Sequence, residues 1–266
     1  MQIYTNDNKI RQILNRSDIE ELIRFFKELK EPIILRDIRK NFPNQKNLDK
    51  NLEFLIANKL IKRQERRYQF CLDVIDSYLS DDSVRKFIEK YNNLYSAEEL
   101  LVWVGEELWS DETRELIGIN FSIPTKYCIE NASFRLVTLN RPGKLCETLP
   151  NYFGNIDYPR KFSQLSKLIG DVHPEFFVNQ LETILERVEA GKNPRRDTIF
   201  LQSLLVTNTI ASTPEWKMVV PVFERIPAID FPVHIEQEKR FLFARQLTEK
   251  LLNERESFTY LIKKRS

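Results

Sequence analysis

The hydrophobic period of this chain changes at Leu60, within the stretch LIANKLIKRQERRYQF at residues 55–70. Before the change, Leu48, Leu52, Leu55 and Ile56 recur at i, i+4, i+7 and i+8, a spacing that stacks apolar side chains on one face of a helix. After it, apolar and basic residues alternate as in a strand with one covered face. The pattern predicts a helix over residues 45–59, a strand over 60–63, a tight tip at Gln64 and Glu65, and a return strand over 66–70.

Upstream, Ser17 and Glu20 have the spacing of a capping box, with Ile19, Leu22, Ile23, Phe26 and Leu29 at helical intervals behind them. Pro32 ends that helix, and Ile33, Ile34 and Leu35 suit a short strand. A second short helix fits residues 36–41, closed by Pro43, with Asn44 and Gln45 in the turn. On the third helix Lys46, Asn47, Lys50, Asn51 and Phe54 point away from the leucine stripe.

This order, carried by PIILRDIRKNFP, NLDKNLEFLIANKLI and KRQERRYQF over residues 16–70, resembles the winged helix-turn-helix domain of bacterial transcription regulators. The resemblance implies that the second helix, the third helix and the hairpin, or wing, face double-stranded DNA. The residues expected there are Arg36, Arg39, Lys40, Lys46, Asn47, Lys50, Asn51, Lys62, Arg63, Arg66 and Arg67. Cations in those places neutralise phosphates and release counterions, and the amides of Asn47 and Asn51 reach base edges in the major groove. Asp49 and Glu53 lie on the same helix and oppose phosphate binding, although a carboxylate can accept from a cytosine amino group. Winged helices also dock proteins, so an interaction adaptor that touches no nucleic acid is the alternative expectation.

Charge supports a division of the chain. Residues 1–70 hold 16 Lys and Arg against 10 Asp and Glu, leaving 25 against 29 for the rest. A basic module is joined to a mildly acidic one. The expected fold class is mainly α with small β elements (α+β): an N-terminal winged helix over residues 1–70, then a larger, mostly helical domain over residues 71–266. Helices are predicted over 82–92, 96–109 with a second capping box at Ser96 and Glu99, 162–168, 174–190, 194–207 and 235–253. Strands are predicted over 133–139, 218–223 and 258–263. The whole chain also resembles an uncharacterised family of cytoplasmic proteins from Gram-positive bacteria.

The longest apolar runs, at residues 100–105 and 218–223, fall far short of a membrane span, and the start has no signal-peptide pattern. A cytoplasmic protein with no membrane partner is expected. Cys71, Cys128 and Cys146 have no CxxC spacing and suit reduced, partly buried thiols. His173 and His234 have no companion at i+3 or i+4, so they read as helix-start residues rather than metal ligands. Glu107, Asp111 and Glu115 would stack on one face of an unbroken helix, but Ser110 and Asp111 resemble a new cap that would break the row. Tyr152, Phe153 and Tyr158, in a turn-rich segment over 140–158, would either line a ligand pocket or plug a core edge. Phosphate-loop, dinucleotide-binding, nucleophile-elbow and zinc-protease motifs are missing.

No catalytic residue, metal or cofactor is therefore expected. The leading expectation is a DNA-binding transcriptional regulator with a C-terminal dimerisation or sensing domain, a homodimer being the arrangement that would span two half-sites. An enzyme of unclassified type within residues 71–266 is the third alternative.

Overall fold

A computed structural model of the chain describes residues 1–5, 7–78, 80–109, 116–156, 159–231 and 237–264. The chain is α+β and divides into two compact units. The first comprises Met1–Leu79, Ser110–Ser122 and Ile235–Phe241, and the second Ser80–Trp109, Ile123–His234 and Leu242–Ser266. The first unit thus continues past residue 70, because β-pairing recruits later segments.

In the first unit the order is β1 (Gln2–Tyr4), α1 (Asn8–Leu14), α2 (Ser17–Glu28), β2 (Ile33–Ile34), α3 (Leu35–Asn41), α4 (Leu48–Ala57), β3 (Ile61–Gln64), β4 (Arg67–Phe70), β5 (Val74–Ile75) and β6 (Ile117–Ile119). One sheet has the order β1-β6-β5 and the other β2-β4-β3. Helix α1 is not foreseen in the sequence pattern, although Asp7 caps it by accepting from the Lys9 and Ile10 amides and Ile10, Ile13 and Leu14 fall at i, i+3 and i+4. It also displaces the predicted cap: Arg16, at the end of the α1 turn, becomes the N-cap of α2, and Ile19 and Glu20 donate to its carbonyl. Ser17 is already helical, so the Ser17–Glu20 capping box does not form.

Ile19, Leu22 and Phe26 of α2, Ile38 of α3, Leu48, Leu52 and Leu55 of α4, and Leu60, Ile61 and Tyr68 make one core. Each such side chain contributes about 1.5–3 kcal/mol on burial. The change of period at Leu60 has a local cause. Lys59 takes a left-handed conformation (φ 57°), the Leu60 amide returns to the Leu55 carbonyl at 2.9 Å, and the Lys59 amide to Ile56 at 3.0 Å. This Schellman stop turns Leu60 inward and launches β3.

The second unit contains α5 (Asp82–Tyr91), α6 (Ala97–Trp103) running into a π-helical turn (Val104–Leu108), β7 (Thr125–Glu130), β8 (Phe134–Asn140), α7 (Leu149–Gly154), a 3-10 turn (Pro159–Lys161), α8 (Ser163–Ile169), α9 (Pro174–Glu189), α10 (Ile199–Val206), β9 (Ile210–Ala211), β10 (Lys217–Met218), β11 (Val222–Phe223), α11 (Gln237–Leu252, within this unit from Leu242) and β12 (Ser257–Lys263). Its centre is a sheet of order β11-β12-β8-β7, with β9 and β10 forming a separate small ribbon. Strand β8 alternates between two cores. Val137 and Leu139 join Trp103, Leu247 and Phe258 on one face, while Phe134 and Leu136 join Leu149, Phe177 and Leu181 on the other. A sheet covered on both faces explains why β8 carries apolar residues toward both sides rather than in strict alternation.

The Ser96–Glu99 capping box is present. Helix α9 starts at Pro174 and stops before Gly191 (φ 66°), as its sequence pattern predicts. Helix α10 begins at Ile199 rather than 194, because Thr198 caps it by accepting from the Leu201 amide. Residues 149–154, inside the turn-rich segment, form α7. Its Tyr152 is buried with Phe153 and Phe162 around it, so these aromatics fill the core edge. His234, Asp111, Glu115 and Tyr158 lie outside the described residues. The cysteines are free, and Cys128 is exposed rather than partly buried.

Candidate nucleic-acid interface

The two helices α3 and α4 are joined by a turn in which the Phe42 amide closes on Ile38 and the Gln45 amide on Phe42. The Phe42 ring meets Phe25 edge-on at 5.1 Å, and the Gln45 side-chain amide donates to the Asp18 carbonyl at 3.0 Å. These contacts hold the start of α4 against α2. Arg36, Arg39, Lys40, Lys46, Asn47 and Lys50 are all exposed.

Asn51 belongs elsewhere. It is 4% exposed, and its amide donates to the Asp18 carboxylate at 2.8 Å. The expected reach of Asn51 toward a base edge is therefore corrected: at three residues from Leu48 and four from Leu55 it falls on the inward face, where a buried amide needs a partner. Burial acts to raise the Asp18 carboxyl, but hydrogen bonds from Arg16 and Asn51 outweigh it and hold the group below its ordinary range. Phe54 likewise leaves the exposed set, since it packs against the first unit's core.

The two carboxylates of α4 differ in their surroundings. Asp49 accepts from Arg39 Nη2 through both oxygens, at 3.0 and 3.2 Å, which ties α3 to α4 and cancels one charge of each sign. Asp37 pairs with Lys40 at 3.3 Å in the same helix. Glu53 is exposed and has no such partner among the described residues.

In the hairpin, Gln64 pairs with Arg67 and the tip is Glu65–Arg66, one residue later than expected. Both tip residues have positive φ, 51° and 62°. This is the two-residue turn whose twist matches a right-handed hairpin, built here without glycine. The alternation of side chains splits the cations. Arg63 stands opposite Tyr68 on the core side, with its guanidinium 5.4 Å from the ring centroid. Lys62, Gln64, Arg67 and Gln69 project from the other face, where Arg67 Nη1 donates to the Pro32 carbonyl at 3.2 Å. Pro32, Lys62, Gln64, Glu65, Arg67 and Gln69 line a hollow of about 130 Å³. It is too small for an ordinary organic ligand, which needs about 300 Å³ or more.

The structure thus brings Lys46, Asn47 and Lys50 together at the exposed start of α4, holds Arg39 and Lys40 in ion pairs, and divides Arg63 from Lys62 and Arg67. Among the described residues Arg36, Lys46, Lys50, Lys59, Lys62 and Arg66 have no ion-pair partner. No group of three or more His, Cys, Asp or Glu side chains is placed to hold a metal ion, and no helix is long and apolar enough to cross a membrane, both among the described residues.

The second unit also holds a polar centre that the sequence pattern does not announce. The π-helical turn carries Glu106 into the sheet, where its side chain is 3% exposed. Glu106 accepts from Arg135 Nη1 at 2.6 Å and from the Tyr260 hydroxyl at 2.9 Å, with Lys126 Nζ at 3.7 Å. Gly105 is required there, because a Cβ would overlap the Tyr260 hydroxyl, and its carbonyl accepts from Lys126. Burial, followed by the Glu106 charge, pushes the Tyr260 phenol well above its ordinary value. The phenol is thereby kept as a neutral donor. Every group in this centre is hydrogen-bonded to another, and the arrangement locks the turn to the sheet. Only the odd clustering of Glu106 and Glu107 before Trp109 hinted at it in the sequence.

Residues 1–101 match the model of a family described as a domain of unknown function (DUF1803). The match runs beyond the hairpin, through α5 and into α6. No curated protein and no solved structure matches the chain.

Proposed function

We propose that residues 16–70 form a winged helix that binds duplex DNA through α4 and the β3–β4 wing. On this reading the protein is a cytoplasmic transcription regulator whose second unit serves dimerisation or sensing. Support comes from the order α2, β2, α3, α4, β3, β4 with the first strand pairing the last, together with the exposed and unpaired cations of α4 and the wing. The observation that carries most weight is that Lys46, Lys50, Lys62 and Arg66 are exposed and, among the described residues, have no ion-pair partner, so their charge is kept for solvent or phosphate. The Arg39–Asp49 and Lys40–Asp37 pairs take one charge of each sign and leave that balance unchanged.

The test is fluorescence anisotropy of the full chain with a random-sequence duplex at two salt concentrations. The expected result is binding that weakens steeply with salt, with a log–log slope of about −0.9 per phosphate neutralised. Changing Lys46, Lys50 and Arg66 together to alanine should make that slope shallower by about one for each phosphate the variant leaves unneutralised. Absence of binding at low salt, or an unchanged slope in the triple variant, refutes the reading. If the protein acts as a homodimer, occupied sites should show two half-sites about one helical turn apart.

A further inference from the structure

Around α4 successive residues advance by roughly 100°. Lys50, Glu53 and Ala57 therefore share an arc of about 60°, opposite the buried Leu48, Asn51, Leu52 and Leu55. Asp49 and Phe54 fall on the flanks of this arc, where Arg39 holds the one and the first unit's core takes up the other. Glu53 remains, among the described residues, as an unpaired carboxylate on the outward face, one turn before the small Ala57 that lets a surface approach closely. Simple phosphate binding gives this position no use for a negative charge, since Glu53 would repel every phosphate it faced.

A base edge has such a use. In the major groove cytosine offers an amino donor with no acceptor on the same base, whereas adenine sets its amino donor beside its own N7 lone pair, and guanine and thymine present acceptors. A carboxylate accepts well from the first, is repelled in part by the second, and is repelled by the others. We infer that Glu53 is the residue with which α4 selects cytosine in a duplex. The inference rests on the DNA-binding reading and adds to it a specificity residue. Lys46 and Lys50 supply the affinity that Glu53 reduces, and Glu53 converts part of it into discrimination on the order of tenfold, within the range for one mismatched base pair.

The test is selection from a randomised duplex library by the full chain, sequenced for the wild type, Glu53→Ala and Glu53→Gln, with thermal melts showing that both variants fold. The wild type should enrich one cytosine position by about tenfold. Glu53→Ala should lose that preference alone and bind random duplex more tightly. Glu53→Gln should move the preference at that position to adenine, because a carboxamide matches the adjacent donor and acceptor. Identical enrichment by wild type and Glu53→Ala overturns the inference, as does duplex binding by the wild type with no preference at all. Failure of the wild type to bind any duplex instead overturns the parent reading of the first unit.

Discussion

Glu106→Gln removes one charge from the centre of the second unit and keeps the shape of the side chain. The Glu106 carboxylate is 3% exposed and stands against Arg135 at 2.6 Å and Lys126 at 3.7 Å. Removing one partner of a buried ion pair costs about 3–5 kcal/mol, because the remaining charge stays desolvated. Arg135 retains Glu130 at 2.6 Å and is 33% exposed, which moves the cost to the lower end, about 3 kcal/mol. A carboxamide also turns a donor toward either Arg135, which can only donate, or Tyr260, whose hydroxyl would have to swing round and accept. For a unit of this size the melting temperature should fall by about 6–12 °C. Trp103 and Trp109 flank the π-helical turn and are both buried, so denaturant unfolding followed by tryptophan fluorescence reports this unit directly. The midpoint should fall with little change in slope. Glu106→Gln combined with Arg135→Met should be less destabilising than the sum of the two single changes, because the stranded cation is gone. A single variant within about 0.5 kcal/mol of wild type, or strict additivity in the double variant, refutes the reasoning.

Three further outcomes are expected. Asn51→Ala should destabilise the protein by about 1–2 kcal/mol through the broken Asp18 bond, measured by thermal melting, and should leave any duplex sequence preference unchanged. Arg66→Gly should remove left-handed strain at the β3–β4 tip and stabilise the hairpin by about 1 kcal/mol, read as slower amide exchange in β3 and β4. Burial acts to raise the Glu130 carboxyl, yet hydrogen bonds from Lys264 and Arg135 hold it below its ordinary value. A depressed carboxyl contributes stability above its unfolded value of about 4.3 and loses it as pH falls through the folded value. The melting temperature of wild type should therefore drop more steeply below about pH 4.5 than that of Glu130→Gln, as followed by circular dichroism.

Much of the first unit was legible because its helices carry their apolar residues at clean intervals, and because Pro32, Pro43 and the change at Leu60 punctuate them. What escaped detection depended on context. Ser17 has no capping role because α1 runs into α2 and leaves Arg16 at the N-cap position. Asn51 looked like a surface amide because polar residues are assigned outward by default, while its inward position became tolerable only once Asp18 came within 2.8 Å from another helix. Strand β7 was unreadable because only Ile129 in TKYCIE is buried, while Lys126 is committed to the Glu106 centre. The candidate interface was legible as a set of cations. Its division was not, since that depends on the hairpin register and on the Arg39–Asp49 pair.

The same logic explains the polar residues in a sheet that is covered on both faces. A doubly covered strand gains most from apolar side chains, yet β8 carries Arg135, Thr138 and Asn140. Each is satisfied by side chains whose positions depend on one register. Arg135 meets Glu130 across the β7 pairing, and Thr138 shares its hydroxyl with Thr148 and Thr259, each at 3.0 Å. Asn140 exchanges two amide bonds of 2.8 Å with Asn151 of α7. A slip of β7 or β12 by one residue would turn side chains to the opposite face, breaking the Glu130–Arg135 or Thr138–Thr259 pairing and stranding buried polar groups. An all-apolar β8 would bury as much surface and tolerate such slips. The polar positions therefore contribute less to the depth of the native state than to its separation from shifted alternatives.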